Sequence, residues 1–240
     1  MEGTRIQIFG DSLMMGIVVE EDNRYRATMR KRIEELEQRY GMQIKNHSHF
    51  GFTIDKGRRA LDNALAQGLD CDYAVIEFGG NDCNFRWDEV AQAPDQPHSP
   101  LTPLEDFILI YTDMVTDLQA RGIKPILLTL PPLDAPRFLE STERNGCNSK
   151  NILHWLGDIY AIYRWHEMYS NAIARISAKT GALLIDIRRR FLDQRRFGRM
   201  IGPDGMHPSH EGYQLIQSAI IDILEHCKPG ERDARRPAFA

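Results

Sequence analysis

Tyr73-Ala74-Val75-Ile76-Glu77-Phe78-Gly79-Gly80 is the stretch on which the fold turns. It is too short for a helix, rich in β-branched and aromatic residues, and closed by a glycine pair. That is the pattern of a strand buried on both faces. Such a strand needs helices above and below it, and parallel neighbours reached through helical crossovers. The flanking sequence supplies both. Toward the N-terminus, Ile54, Leu61, Ala64 and Leu65 mark a helix ending near Gly68, and Gln43 to Ser48 reads as a strand. Before that, Tyr25, Met29, Ile33, Leu36 and Tyr40 recur at spacings of four and three, so a helix is expected there, stopped by Gly41. Ile6-Gln7-Ile8-Phe9 is the first strand, running into Gly10-Asp11.

Toward the C-terminus the same alternation continues. Leu104, Phe107, Ile108, Tyr111, Val115 and Leu118 give a helix closed by Gly122, followed by the strand Pro125 to Leu130. Ile159, Ile162, His166, Tyr169, Ile173 and Ile176 share one face of a long helix that stops at Gly181. Leu183 to Ile187 is the fifth strand, and Tyr213, Ile216, Ala219, Ile220, Ile223 and Leu224 form the last helix. The chain therefore reads as one α/β domain over residues 1–228, with a central five-stranded parallel sheet. Residues 84–102 and 131–157 are longer than ordinary connections and are read as loops near the site. Residues 229–240 carry charges and prolines without periodicity and are read as a frayed tail.

The 240 residues carry 30 basic and 34 acidic side chains, a net charge of −4. Such a balance points to no nucleic-acid surface and no anionic-membrane surface. No apolar run reaches the ~20 residues of a membrane span, and Met1 to Arg5 opens no signal-peptide pattern. Cys71, Cys83, Cys147 and Cys227 lack CxxC spacing and are too few for a disulfide scaffold, so reduced thiols in a cytoplasmic protein are expected.

Ligands of open α/β sheets bind beyond the carboxyl ends of the strands. Four polar stretches fall there: Gly10-Asp11-Ser12-Leu13, Asn46 to Thr53, Gly79-Gly80-Asn81-Asp82, and Gly202-Pro203-Asp204-Gly205-Met206-His207-Pro208. Taken singly, each has a plain structural use. A serine after a strand caps a helix, Asn81 suits a turn, Gly51 suits a backbone hinge, and loop Asp/His pairs are usually solvated. Taken together, they bring a hydroxyl, an acid–imidazole pair and two kinds of N–H donor to one sheet edge. The spacing of Asp204 and His207 lets the carboxylate reach the ring Nδ1, leaving Nε2 for a nucleophile. Asn81 can offer an amide N–H and Gly51 a closely approaching backbone N–H, as an acyl-transfer site requires.

These blocks resemble the SGNH hydrolases, also called GDSL esterases and lipases, with Ser12, Gly51, Asn81 and His207 in the order of the family's signature. Thr53 and Gly212-Tyr213 also fit its pattern, and the likeness runs from Ile6 to about Leu224. The resemblance implies a flavodoxin-like three-layer α/β/α sandwich. It also implies Ser12 as nucleophile, His207 as general base and Asp204 as its orienting acid. Ser12, Gly51 and Asn81 would form the oxyanion hole, and Asp11 would support the loop. It implies a serine esterase working through an acyl-enzyme with no metal or organic cofactor. No Gly-x-Ser-x-Gly elbow occurs, and acid and base share one loop, unlike the α/β-hydrolases.

Substrate choice rests on the loops. Phe85, Trp87, Phe138, Trp155, Tyr160 and Trp165 lie in or beside the two long stretches, where they either anchor them or line a pocket. With Phe85, Trp87 and Trp155 as substrate contacts, the site is partly covered, favouring a small acyl group on a polar or carbohydrate alcohol. Thioesterase and lysophospholipase activity on the same scaffold, and a non-catalytic binding module, remain open at this stage. So does the choice between monomer and homo-oligomer. His47-x-His49 has strand spacing for a metal but lacks further ligands, and Cys83 reads as an interior thiol of ordinary pKa. Arg188, Arg189, Arg190, Arg195, Arg196 and Arg199 read as a solvated helix face, with an anion contact at the site mouth as the alternative.

Overall fold

A computed structural model describes residues 3–20, 22 and 24–226. Five strands, β1 (Arg5–Gly10), β4 (Gln43–Asn46), β5 (Tyr73–Glu77), β6 (Lys124–Leu128) and β7 (Leu183–Ile185), form one sheet in the order β4-β1-β5-β6-β7. Every pairing in it is parallel, with Ile6 opposite Ile44 on one side and Tyr73 on the other. In order of appearance this is 2-1-3-4-5, the flavodoxin-like arrangement, which reverses direction between β1 and β5. The sheet expected from the sequence is thus present.

Alternation along the strands sends side chains to two cores. On one face Phe9, Ala74, Ile76 and Leu127 pack against α2 (Ile54–Ala66), α4 (Leu104–Ala120) and α7 (Ala161–Thr180), through Leu61, Tyr111, Leu118 and Ile173 among others. On the other, Ile6, Ile8, Val75, Ile126 and Ile185 meet α1 (Met29–Tyr40), α8 (Ile187–Leu192) and α9 (His210–His226). Each central strand is covered above and below, which is why its sequence is nearly continuously apolar.

Local departures have physical reasons. Tyr25 does not join α1: it lies in β3 (Tyr25–Ala27), paired antiparallel with β2 (Ile17–Val19), and the helix starts only at Met29. The fifth strand stops at Ile185 because Asp186 turns the chain and accepts the Arg189 N–H at 3.2 Å, capping α8. Both long stretches contain helices, and the second is mostly helical. Residues 84–102 contain α3 (Trp87–Gln92), and residues 131–157 contain α5 (Ala135–Arg144) and α6 (Ser149–Leu156). Residues 229–240 and Cys227 lie outside the described residues. Among the described residues no helix is long and apolar enough to cross a membrane.

Candidate active site

Ser12 sits in the turn after β1, eight per cent exposed, at the edge where the sheet changes direction. The turn is held from several sides. The Leu13 N–H donates to Asp11 Oδ1 at 2.9 Å, and the Ile17 N–H to the Ser12 carbonyl at 3.0 Å. From α9, the Tyr213 hydroxyl lies 3.2 and 3.1 Å from the carbonyls of Leu13 and Ile17.

The loop before α9 brings the acid and the base. His207 Nε2 lies 3.0 Å from Ser12 Oγ, and its Nδ1 lies 2.6 Å from Asp204 Oδ2. Asp204 cannot donate as a carboxylate, so Nδ1 carries the ring proton and the Nε2 lone pair faces the serine hydroxyl. Asp204 Oδ1 accepts the backbone N–H groups of Met206 and His207 at 3.1 and 3.0 Å. Burial works against its charge, but the His207 contact and these two donors outweigh it and hold the Asp204 carboxyl below its usual range. Gly205 makes the turn at φ +76°, and a Cβ there would lie 2.3 Å from the Phe138 nitrogen. The loop is thereby pressed against α5, whose Asp134 N–H donates to the Gly205 carbonyl at 2.8 Å.

The donors read in the sequence differ in how they are engaged. The backbone N–H groups of Ser12 and Gly51 have no hydrogen-bond partner among the described residues, and Gly51 takes φ +69° just before α2. Asn81, read in the sequence as an amide donor, is already engaged. Its Nδ2 lies 2.9 Å from Asp11 Oδ2 and 2.9 Å from the Phe52 carbonyl, so both amide hydrogens hold the neighbouring loops together. Asp82 caps α2 by accepting the Ile54 N–H at 2.9 Å, and burial pushes its pKa up to about 7. Glu77, at the end of β5, is fully buried beside Asp11. Burial first, then the Asp11 charge, raises its pKa well above the carboxylate range.

A small cavity of about 30 Å³ opens beside Ser12, lined by Glu77, Asn81, Leu130, Pro131, His166 and Met206 among others. Above it, the rings of Tyr25 and Phe50 pack on His207 at 5.6 and 6.1 Å between centroids, yet both side chains are about half exposed. The sequence placed Tyr25 on a helix stripe and gave Phe50 no role, since nothing in the local pattern tells an exposed aromatic that will meet a distant histidine. His166 was read only as part of a helix stripe. Of the aromatics that were marked, Phe85, Trp87 and Phe138 are buried in a third core with Val90, Leu139 and Ile152, and Trp155 packs against it. Phe85 and Trp87 share with Gly80 and Met206 the wall of a space of only about 10 Å³.

The remaining marked residues are placed as follows. His47 stacks on Phe9 and lies 2.6 Å from Gln7 Oε1, while His49 stacks on Phe52. Among the described residues no group of three or more His, Cys, Asp or Glu is placed to hold a metal. Cys83 is interior, but burial and then Asp82 raise its thiol pKa above the ordinary value. Arg188 corrects the reading of a solvated arginine face. It is buried against Glu167 and the Leu130 carbonyl, while Arg189, Arg190, Arg195, Arg196 and Arg199 are exposed.

A hydroxyl, imidazole and carboxylate in hydrogen-bonded sequence at the switch point of a flavodoxin-like sheet define a serine hydrolase. A family model described as the GDSL-like Lipase/Acylhydrolase family matches residues 8–215, and the chain belongs to that family, the SGNH hydrolases. A search of curated proteins found no matching sequence. Among solved structures, the chain is similar to a lipase/acylhydrolase from Enterococcus faecalis (TM-score 0.64, 20% identity, 95% of this chain and 99% of that one). It is also similar to an acetyl xylan esterase from Geobacillus stearothermophilus (TM-score 0.64, 16% identity, 92% and 94%). A third is the psychrotrophic esterase EstA from Pseudoalteromonas sp. (TM-score 0.59, 18% identity, 92% and 97%), inhibited there by monoethylphosphonate. At these identities the likeness is one of fold.

Proposed function

We propose that this esterase hydrolyses carboxylic esters of a small acyl group on a polar or carbohydrate alcohol, through an acyl-enzyme on Ser12. The observation that carries the reading is the row Ser12–His207–Asp204, at 3.0 and 2.6 Å, opening onto a cavity of about 30 Å³. Ser12 Oγ attacks the ester carbonyl carbon while His207 Nε2 takes the hydroxyl proton, and Asp204 stabilises the imidazolium. The former carbonyl oxygen becomes an oxyanion, received by the unengaged N–H groups of Ser12 and Gly51. Asn81 joins them by releasing one of its two hydrogen bonds. The intermediate collapses, the C–O bond to the alcohol breaks, and His207 protonates the departing oxygen. A water, deprotonated by His207, then cleaves the acyl-enzyme, and the proton returns to Ser12.

The cavity supports the small acyl group, since its volume suits roughly two water molecules. The exposed Tyr25 and Phe50 rings beside His207 support the alcohol half. The leaving group departs where His207 can protonate it, and flat aromatic faces there suit the apolar face of a sugar ring. The unpaired Cys71, Cys83 and Cys147 support a reducing compartment and the cytoplasm. The test pairs a fluorophosphonate probe with 4-nitrophenyl esters from acetate to palmitate and with acetylated sugars. Covalent labelling is expected, absent in Ser12→Ala, with activity falling steeply beyond the shortest acyl chains. Folded but unlabelled protein points instead to a binding module, and a rate independent of chain length, or highest on long acyl or thioester substrates, overturns the small-acyl reading.

A further inference from the structure

His166 enters the site from α7 and lines the cavity beside Ser12, whose wall does not include the exposed aromatic rings. It is four per cent exposed, and its Nδ1 lies 3.5 Å from Arg188 Nη1. A guanidinium has no acceptor, so a proton on Nδ1 would place donor against donor. The ring proton therefore sits on Nε2. Arg188 cannot swing away to relieve this arrangement. Its Nη1 donates to the Leu130 carbonyl at 3.2 Å, its Nη2 pairs with the Glu167 carboxylate, and its guanidinium lies 5.2 Å over the Tyr163 ring. Burial first, and then the Arg188 charge, push the His166 pKa down to about 3, so the imidazole is neutral wherever the protein is folded and active.

Nε2 itself has no hydrogen-bond partner among the described residues, while the ring lines the cavity together with Ser12, Asn81 and His207. An unengaged donor facing a substrate cavity is available to an acceptor on the ligand, and is left without a partner if the ligand there is apolar. The cavity beside Ser12 would receive the acyl half of an ester, with the alcohol half departing past His207 toward the exposed rings. Resting on the esterase reading above, we infer that His166 Nε2–H is the hydrogen-bond donor of the acyl subsite, and that the enzyme prefers short acyl groups carrying an oxygen acceptor, such as hydroxy- or oxo-acyl groups, over apolar acyl groups of equal size. A cavity of about 30 Å³ leaves room for the acyl carbon chain and one such oxygen, and little more.

Methyl glycolate and methyl propionate test this directly, since their acyl groups have the same number of heavy atoms and differ by a hydroxyl in place of a methyl. Hydrolysis is followed by titration at constant pH, and the readout is the ratio of kcat/KM for glycolate to that for propionate. In His166→Leu the ratio is expected to fall about tenfold, the value of one neutral hydrogen bond lost from a polar subsite. His166→Gln, whose Nε2 carries an amide N–H at similar reach, is expected to keep the ratio within about threefold of the unaltered enzyme. His166→Phe replaces His166→Leu if the latter does not fold by thermal melting. An unchanged ratio in the apolar variant overturns the subsite while leaving the esterase intact, as Ser12-dependent cleavage of 4-nitrophenyl acetate shows. If the unaltered enzyme cleaves no ester, the esterase reading fails and the subsite with it.

Discussion

Asn81 holds its amide between Asp11 Oδ2 and the Phe52 carbonyl, at 2.9 Å each, and so ties the turn after β1 to the loop before α2. The same nitrogen is the one side-chain donor the proposed oxyanion hole contains. A single residue thus spaces the two backbone donors of Ser12 and Gly51 and adds its own N–H when negative charge develops. Asn81→Ala is therefore expected to lower kcat for 4-nitrophenyl acetate about a hundredfold or more, with KM little changed, since the interaction strengthens only in the transition state. A rise in KM at constant kcat would instead make Asn81 a ground-state contact. The sequence marks this asparagine by its Gly-Gly-Asn-Asp setting, but the acceptors it engages come from distant stretches. No local rule could assign them.

At the scale of elements, the third core decides what the aromatic residues do. α3, α5 and α6 pack Phe85, Trp87, Val90, Phe138 and Ile152 together, and the Trp87 indole N–H donates to Asn84 Oδ1 at 2.6 Å. Trp87→Ala is expected to destabilise the fold by about 3 kcal/mol in chemical denaturation, as deletion of a buried aromatic does, with KM for short esters unchanged. A raised KM at unchanged stability would restore Trp87 as a substrate contact. The helices were illegible for definite reasons. A proline in a helix interior is a breaker, yet Pro136 lies in the first turn of α5, where its missing N–H costs nothing, behind the cap at Asp134. Six to ten residues, moreover, are too few for a helical stripe to stand out. The long helices α4 and α7, with many turns and a clear apolar face, were legible almost to the residue.

Across the whole molecule, the sheet carries three buried carboxyl groups beneath the reacting serine: Asp11, Glu77 and Asp82. All three have raised pKa values, with burial as the first cause. A raised folded-state pKa means that the unfolded chain releases its proton first, so stability is full below the unfolded value and declines as pH rises through the folded one. Thermal melts are expected to show Tm falling as pH rises from about 5 toward 8. Glu77→Gln removes the Glu77 titration while keeping the side chain's size, so its Tm is expected to exceed that of the unaltered protein at pH 8 and to vary less across the range. Parallel curves for the two proteins would show that Glu77 does not carry the effect. Asp204 acts in the opposite sense, its lowered pKa giving stability that is lost only as pH falls below the ordinary aspartate value of 3.8.

The amino-acid order alone determined the five strands, their parallel pairing and the loops that bear Ser12, Gly51, Asn81, Asp204 and His207. Burial on two faces and glycine at turning points are local patterns that a linear text displays. Only the folded chain decided which groups meet: Arg188 buried against His166 rather than solvated, Tyr25 and Phe50 laid over His207, Glu77 buried beside Asp11. These pairings depend on side chains far apart along the chain and on water being excluded between them, and no short window of sequence carries either quantity.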